Sequence, residues 1–194
     1  MGSRVEPLVA LLLLSGFFAA PPLAAEGHRE LGAHEHGRGT LNIAIEGTKV
    51  TMELEVPGAD IVGFEHAAKS PKEKSAVEKA TIQLKSPLAL FNLPPTAACR
   101  ITEAKVEVEK GGHDPDAKPA GADKAAEKDD GHSEFHAEYA LECARPDNLT
   151  AIAFGYFKAF AGAEKLTVNV ITAKGQNKFE VTRASPTLSL AGMI

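Results

Sequence analysis

Leu41-Asn42-Ile43-Ala44-Ile45-Glu46-Gly47-Thr48-Lys49-Val50-Thr51-Met52-Glu53-Leu54-Glu55-Val56 is the stretch that decides the fold. Leu41, Ile43 and Ile45 alternate with polar or small residues, and Val50, Met52, Leu54 and Val56 do the same. A period of two buries one face of a strand and leaves the other wet. Gly47-Thr48 fits a tight turn in which glycine supplies the positive φ. The stretch therefore predicts a hairpin, closed off by Pro57-Gly58.

Downstream, Asp60-Ile61-Val62-Gly63-Phe64-Glu65-His66 has no clear period and reads as a loop or one helical turn. Ser70-Pro71-Lys72-Glu73 is a helix start, with serine as cap, proline at the first helical position and Glu73 completing a capping box. That helix is expected to run to about residue 85, and residues 86–95 read as loop. A strand follows over about residues 98–109. Its apolar parity changes from odd (Cys99, Ile101) to even (Val106, Val108), which predicts a β-bulge near Ala104. Phe135, Ala137, Tyr139, Leu141 and Cys143 alternate with His136, Glu138, Ala140 and Glu142, the most regular strand pattern in the chain. Residues 111–131, between these strands, hold no Leu, Ile, Val, Met or aromatic residue. Such a stretch buries too little apolar surface to offset its chain entropy and reads as a disordered acidic insert. Facing cysteines at 99 and 143 would make the two strands antiparallel and the insert their hairpin loop. Residues 149–160 read as a short strand entering a helix. Leu166, Val168 and Val170 form a strand that Gly175-Gln176-Asn177 turns back toward Phe179 and Val181, and residues 187–190 add an edge. The expected fold is α+β: a single domain, mainly antiparallel β-sheet with two helices.

The 194 residues are 44% hydrophobic and 24% charged, enough for a real core. A net charge of −5 argues against general nucleic-acid binding, since no excess of Lys and Arg replaces phosphate counterions. Residues 1–25 carry Arg4, an apolar run of about 13 residues, then Pro21-Pro22 and Leu23-Ala24-Ala25. The run is short for a bilayer span and reads as a secretory signal cleaved after Ala25, with a retained anchor as the alternative. No second apolar run exists, so the mature chain, residues 26–194, is expected to lack a membrane span. Export makes a Cys99–Cys143 disulfide the expected state.

The residues that can carry chemistry are histidines. His34 and His36, two apart in a glycine-flanked segment, project to one side of an extended chain, and neutral imidazole suits zinc, copper or nickel. The hairpin returns the chain toward its start, so His66 is expected at the same end of the sheet. His34, His36 and His66, with Glu65, Asp60 or water, would make a tetrahedral zinc site. His132, Glu134, His136 and Glu138 share the side of their strand opposite Phe135, and His136 with a neighbouring glutamate could flank an ion. His132 and His136, about 13 Å apart on a strand, cannot share one ion without bending. His113 and the aspartates of the insert read as a solvated linker or a loose cation-collecting loop. No HExxH, GxSxG, P-loop or GxGxxG motif is present, and the chain reads as a non-enzyme. A metal-dependent hydrolase is the minor rival. A non-metal interaction module, docking through a sheet edge, is the main alternative.

Ala33-His34-Glu35-His36-Gly37, Leu41-Asn42-Ile43-Ala44, Pro57-Gly58-Ala59-Asp60-Ile61-Val62-Gly63-Phe64-Glu65-His66, His132-Ser133-Glu134-Phe135, Ala137-Glu138-Tyr139, Cys143 and Gly175-Gln176 together resemble the ZrgA-like family of zinc-regulated periplasmic proteins. The resemblance spans nearly the whole mature chain. It implies a periplasmic zinc-binding protein that assists zinc uptake, supplying an ABC importer or its periplasmic zinc-binding protein. Members commonly carry a histidine-rich insert between the central strands. Here the insert holds His113 alone, which argues against bulk zinc collection by that loop.

Overall fold

The computed structural model describes residues 36–110 and 132–194. The expected signal segment, His34, and the insert with His113 lie outside the described residues. The described residues form one domain built on a large sheet. The expected hairpin is β1 (Arg38–Glu46) and β2 (Lys49–Pro57), paired antiparallel with Ile43 opposite Met52. A short helix α1 (Gly58–Val62) follows directly, then α2 (Pro71–Leu84), α3 (Pro87–Leu90) and the two-residue β3 (Phe91–Asn92). Next come β4 (Cys99–Lys110), β5 (Ser133–Cys143), β6 (Ala151–Phe154), α4 (Tyr156–Ala159), β7 (Lys165–Thr172), β8 (Gly175–Thr182) and β9 (Thr187–Ser189).

The six-stranded sheet runs in the order β4-β5-β2-β1-β7-β8. All neighbours are antiparallel except β1 and β7, which run parallel with Ile43 beside Val170. That parallel pair is interior to the sheet and joins the N-terminal hairpin to the C-terminal one. The bulge falls between Ile101 and Glu103, close to its expected place. Where a loop was expected over residues 86–95, the chain makes the helical turn α3 and the strand β3. Tertiary contact explains this: Phe91 packs edge-on against Phe154, with ring centroids 5.7 Å apart, and the two-residue strand pairs with β6. β3, β6 and β9 form a small second sheet. Of the four α-helices among the described residues, only α2 exceeds five residues.

Alternation decides which face of the large sheet is buried. Leu41, Leu54, Val56, Phe135, Leu166 and Val168 are at most 1% exposed and line one face. The small sheet covers that face: Phe91 meets Tyr139 of β5 edge-on, and Tyr156, Phe157 and Phe160 extend the same core. The opposite face carries Asn42, Glu53, Glu55, His136 and Asn169, all half-buried. The capping box of α2 forms as expected, with Ser70 Oγ accepting from the Glu73 N–H at 3.2 Å and Glu73 Oε2 accepting from the Ser70 N–H at 2.8 Å.

Cys99 and Cys143 are disulfide-bonded across directly paired positions of β4 and β5. The bridge closes a loop spanning a sequence separation of 44, which includes the whole insert. By loop-closure entropy it is worth about 4 kcal/mol. Reduction is therefore expected to lower the unfolding free energy by about 4 kcal/mol. Urea unfolding with and without a thiol reductant measures this, and a coincident pair of curves would show that the bridge constrains nothing.

Candidate functional site

Three strand ends lie together at one end of the large sheet. β1 begins there at Arg38, β2 ends there at Pro57, and β5 begins there beside Pro57, which registers with Glu134. The segments just outside these ends therefore converge: His36-Gly37, the α1 turn with the loop after it, and His132. Backbone bonds hold them in place. The Gly37 N–H donates to Asp60 Oδ1 at 2.7 Å, and the Gly37 carbonyl accepts from Glu164 and Lys165 at 2.9 and 2.8 Å. The Ser133 N–H donates to the Glu65 carbonyl at 2.6 Å. Two glycines permit the close packing. A Cβ at Gly58 would stand 2.3 Å from Ser133 Oγ, and one at Gly162 would stand 2.8 Å from Asp60 Cα.

Glu65 is the centre of this cluster. Its Oε1 lies 2.8 Å from His36 Nε2, and its Oε2 contacts His132 Nδ1. The carboxylate is 15% exposed, whereas the His36 and His132 side chains are 70% and 69% exposed. Asp60 sits behind, buried, with Oδ1 bonded to Gly37 and Oδ2 without a hydrogen-bond partner among the described residues. His66 turns elsewhere. Its Nε2 is 3.5 Å from Glu73 Oε1 at the start of α2, and its ring meets Phe64 edge-on at 4.9 Å. The chain bends at His66, and Glu65 and His66 serve different neighbourhoods. The structure thus brings together His36, Glu65 and His132, and sets His66 against Glu73. His132, assigned by sequence to the β5 group, joins His36 because it lies just outside the strand, where alternation no longer dictates direction.

His136 lies on the open face of the sheet. It stands directly opposite Glu55 in the register, and its Nε2 is 3.6 Å from Glu55 Oε1. Glu53, Glu55 and His136 each present a ligand atom within 4.8 Å of the others. The two glutamates were not singled out from sequence. The available signal was their spacing, two apart on the polar face of the first hairpin.

The sequence matches the profile described as ZrgA family zinc uptake protein over residues 33–190. The chain belongs to the ZrgA family of zinc uptake proteins. No curated protein matches it. In this ZrgA family member, the segments around His36, Glu65 and His132 that carry the resemblance are those that meet at the sheet end. Among the described residues, no helix is long and apolar enough to cross a membrane.

The two carboxyls of the cluster are pushed in opposite directions. Burial raises Asp60 above the ordinary carboxylate range, against the opposing Gly37 hydrogen bond and His36; Glu65 and Glu164 add to the rise. Burial also acts to raise Glu65, but hydrogen bonds and charge from His132 and His36 outweigh it and hold Glu65 below the ordinary range. The signs follow by linkage. Ionised Glu65 stabilises the fold above its unfolded pKa, and this contribution is lost as pH falls through its lower folded value. Ionised Asp60 costs stability, and the cost grows as pH rises from the unfolded value through the higher folded one. In metal-free protein, Glu65→Gln is therefore expected to destabilise at neutral pH and progressively less below about pH 4. Asp60→Asn should gain on the wild type as pH rises above about 4. Urea midpoints of the two variants between pH 3 and 7 test this, and parallel trends would refute the assignment.

Proposed function

We propose that this protein is a periplasmic zinc-binding accessory protein, which takes up zinc at the sheet-end cluster and passes it to import machinery. That machinery would be an ABC-type zinc importer or its periplasmic binding protein. One observation carries the reading: imidazoles from the opening of β1 and from the start of β5 flank a single carboxylate, Glu65. Imidazole nitrogen and carboxylate oxygen are ordinary zinc ligands. His34, the other histidine of the motif, lies outside the described residues. The family's zinc uptake role fits an exported protein.

Exposure separates cargo from structural metal. A structural zinc site is closed by four protein ligands. Here both imidazoles are more than two-thirds exposed, so they can swing to admit an ion and to release it. The partly buried Glu65 and the buried Asp60 stay fixed behind them. The arrangement suits capture and transfer.

Transfer also needs a surface for the recipient. β4 is an edge strand, bonded to β5 alone within the large sheet, and its Ile101 and Val108 side chains are 39% and 40% exposed. An edge with apolar side chains suits strand addition by a partner. The same feature favours the second reading, a metal-independent interaction module.

Calorimetry of the exported protein with zinc is expected to show a site tighter than about micromolar, corresponding to about 8 kcal/mol of binding free energy. Replacing His36 and His132 together by alanine is expected to weaken it at least tenfold while leaving the circular dichroism spectrum unchanged. Undiminished affinity in that folded variant would remove the sheet-end cluster from the reading. Partner capture that ignores a chelator would favour the module instead.

A further inference from the structure

We propose that Glu53, Glu55 and His136 form a second divalent-cation site, on the open face of the large sheet and separate from the sheet-end cluster. Their ligand atoms lie within 4.8 Å of one another, and all three residues are half-buried. The separation of His136 Nε2 from Glu55 Oε1, 3.6 Å, is too long for a hydrogen bond. Zinc bonds of about 2.0–2.1 Å to nitrogen and oxygen place tetrahedral ligands about 3.3 Å apart. The two groups therefore face each other across nearly the gap that an ion spans, and small rotamer changes bring Glu53 in as the third ligand.

The backbone beneath is rigid. β2 and β5 are interior strands, each bonded on both sides, and Glu55 stands directly opposite His136. The carboxylate of Glu53 has an outer support as well. Asn42 Nδ2 points at Glu53 Oε2 from 3.4 Å, and Asn42 Oδ1 accepts from Asn169 Nδ2 at 2.8 Å. Ligating carboxylates are in turn held by hydrogen bonds from outside the ligand set. The register also carries a cost that a cation offsets. Glu53 stands opposite Glu138, and like charges directly opposite weaken a strand pair. Lys105 registers with Glu138 from the other side and relieves that carboxylate.

His132 precedes β5 and engages Glu65 at the sheet end, whereas His136 lies within β5 and faces Glu55 on the open face, so the two histidines belong to separate groups. One imidazole and two carboxylates fit zinc, with fewer nitrogen donors than the sheet end offers. The open-face site is accordingly the weaker of the two and exchanges its ion faster.

The test uses the full exported protein and zinc alone, read by calorimetry and by ring-nitrogen resonances of the histidines. The expected result is two binding events, with zinc shifting the His136 ring resonances in the weaker one. Glu55→Gln should weaken that event at least tenfold and leave the tighter one unchanged. The His36 and His132 double variant should retain it. If a single event occurs and His136 responds, the open-face site stands and the sheet-end reading falls. His136 resonances that stay fixed at saturating zinc would overturn the proposal in the wild-type protein, where no variant's folding is at issue.

Discussion

The Gly37 N–H donates to the buried carboxylate of Asp60, and the position of His36 depends on that bond. Without it, the residues before β1 would leave the sheet as a tail. With it, and with the Gly37 carbonyl held by Glu164 and Lys165, the chain enters β1 along one fixed path. Gly162 passes so close to Asp60 that no side chain fits between them. The acid is thus enclosed by the C-terminal half of the fold while it holds the N-terminal half. Burial favours its neutral form. Positive charge arriving at His36, Glu65 and His132 favours the ionised form, which is the better acceptor for the Gly37 N–H. Loading the cluster with a cation and tightening its anchor are therefore coupled in sign.

The parallel pairing of β1 with β7 makes this enclosure possible. It brings Lys165 beside Arg38, at the same sheet end as Glu65 and His132. An all-antiparallel meander could place β5 beside β2, but would not need to return residues 160–165 to the start of β1. Arg183 reinforces the return by donating to the carbonyls of Phe160 and Ala161 at 2.9 and 2.8 Å, after the last turn of α4. A cation bonded to carbonyls at a helix C-terminus is a stable arrangement. The sheet-end site therefore rests on the C-terminal hairpin although none of its own side chains comes from there.

Much of this was legible in the sequence because it depends on local pattern. Period-two alternation revealed the strands and their buried faces, and Ser70 with Glu73 announced α2. The cysteines gave the β4–β5 register, because a disulfide between neighbouring strands demands opposed positions. Pairing across long separations was not legible. Alternation fixes which face of a strand is buried but is silent on its neighbour, so the β1–β7 pair and the small sheet could not be read. The candidate site divides in the same way. His36 and Glu65 were visible in their motifs. His66 was grouped with them because the hairpin returns the chain toward its start, yet the chain bends at this residue and its ring meets Glu73. His132 was grouped with His136 by strand alternation, although it precedes the strand and follows the loop geometry.

This division has a physical consequence for how the protein separates folding from binding. The core face of β5 uses Phe135, Ala137, Tyr139, Leu141 and Cys143, all at most 3% exposed. The ligand-type groups use the strand's other face or the positions just beyond its end. His36 and His132 bury little surface, so their removal subtracts little hydrophobic stabilisation. Glu65 and Asp60 differ, since they are held in partly or wholly buried bonds that also join chain segments. The cluster thus has an exchangeable outer part and a structural inner part. An ion reaching the imidazoles meets a negative centre whose position is already fixed by the fold, and it leaves without that centre having to unfold.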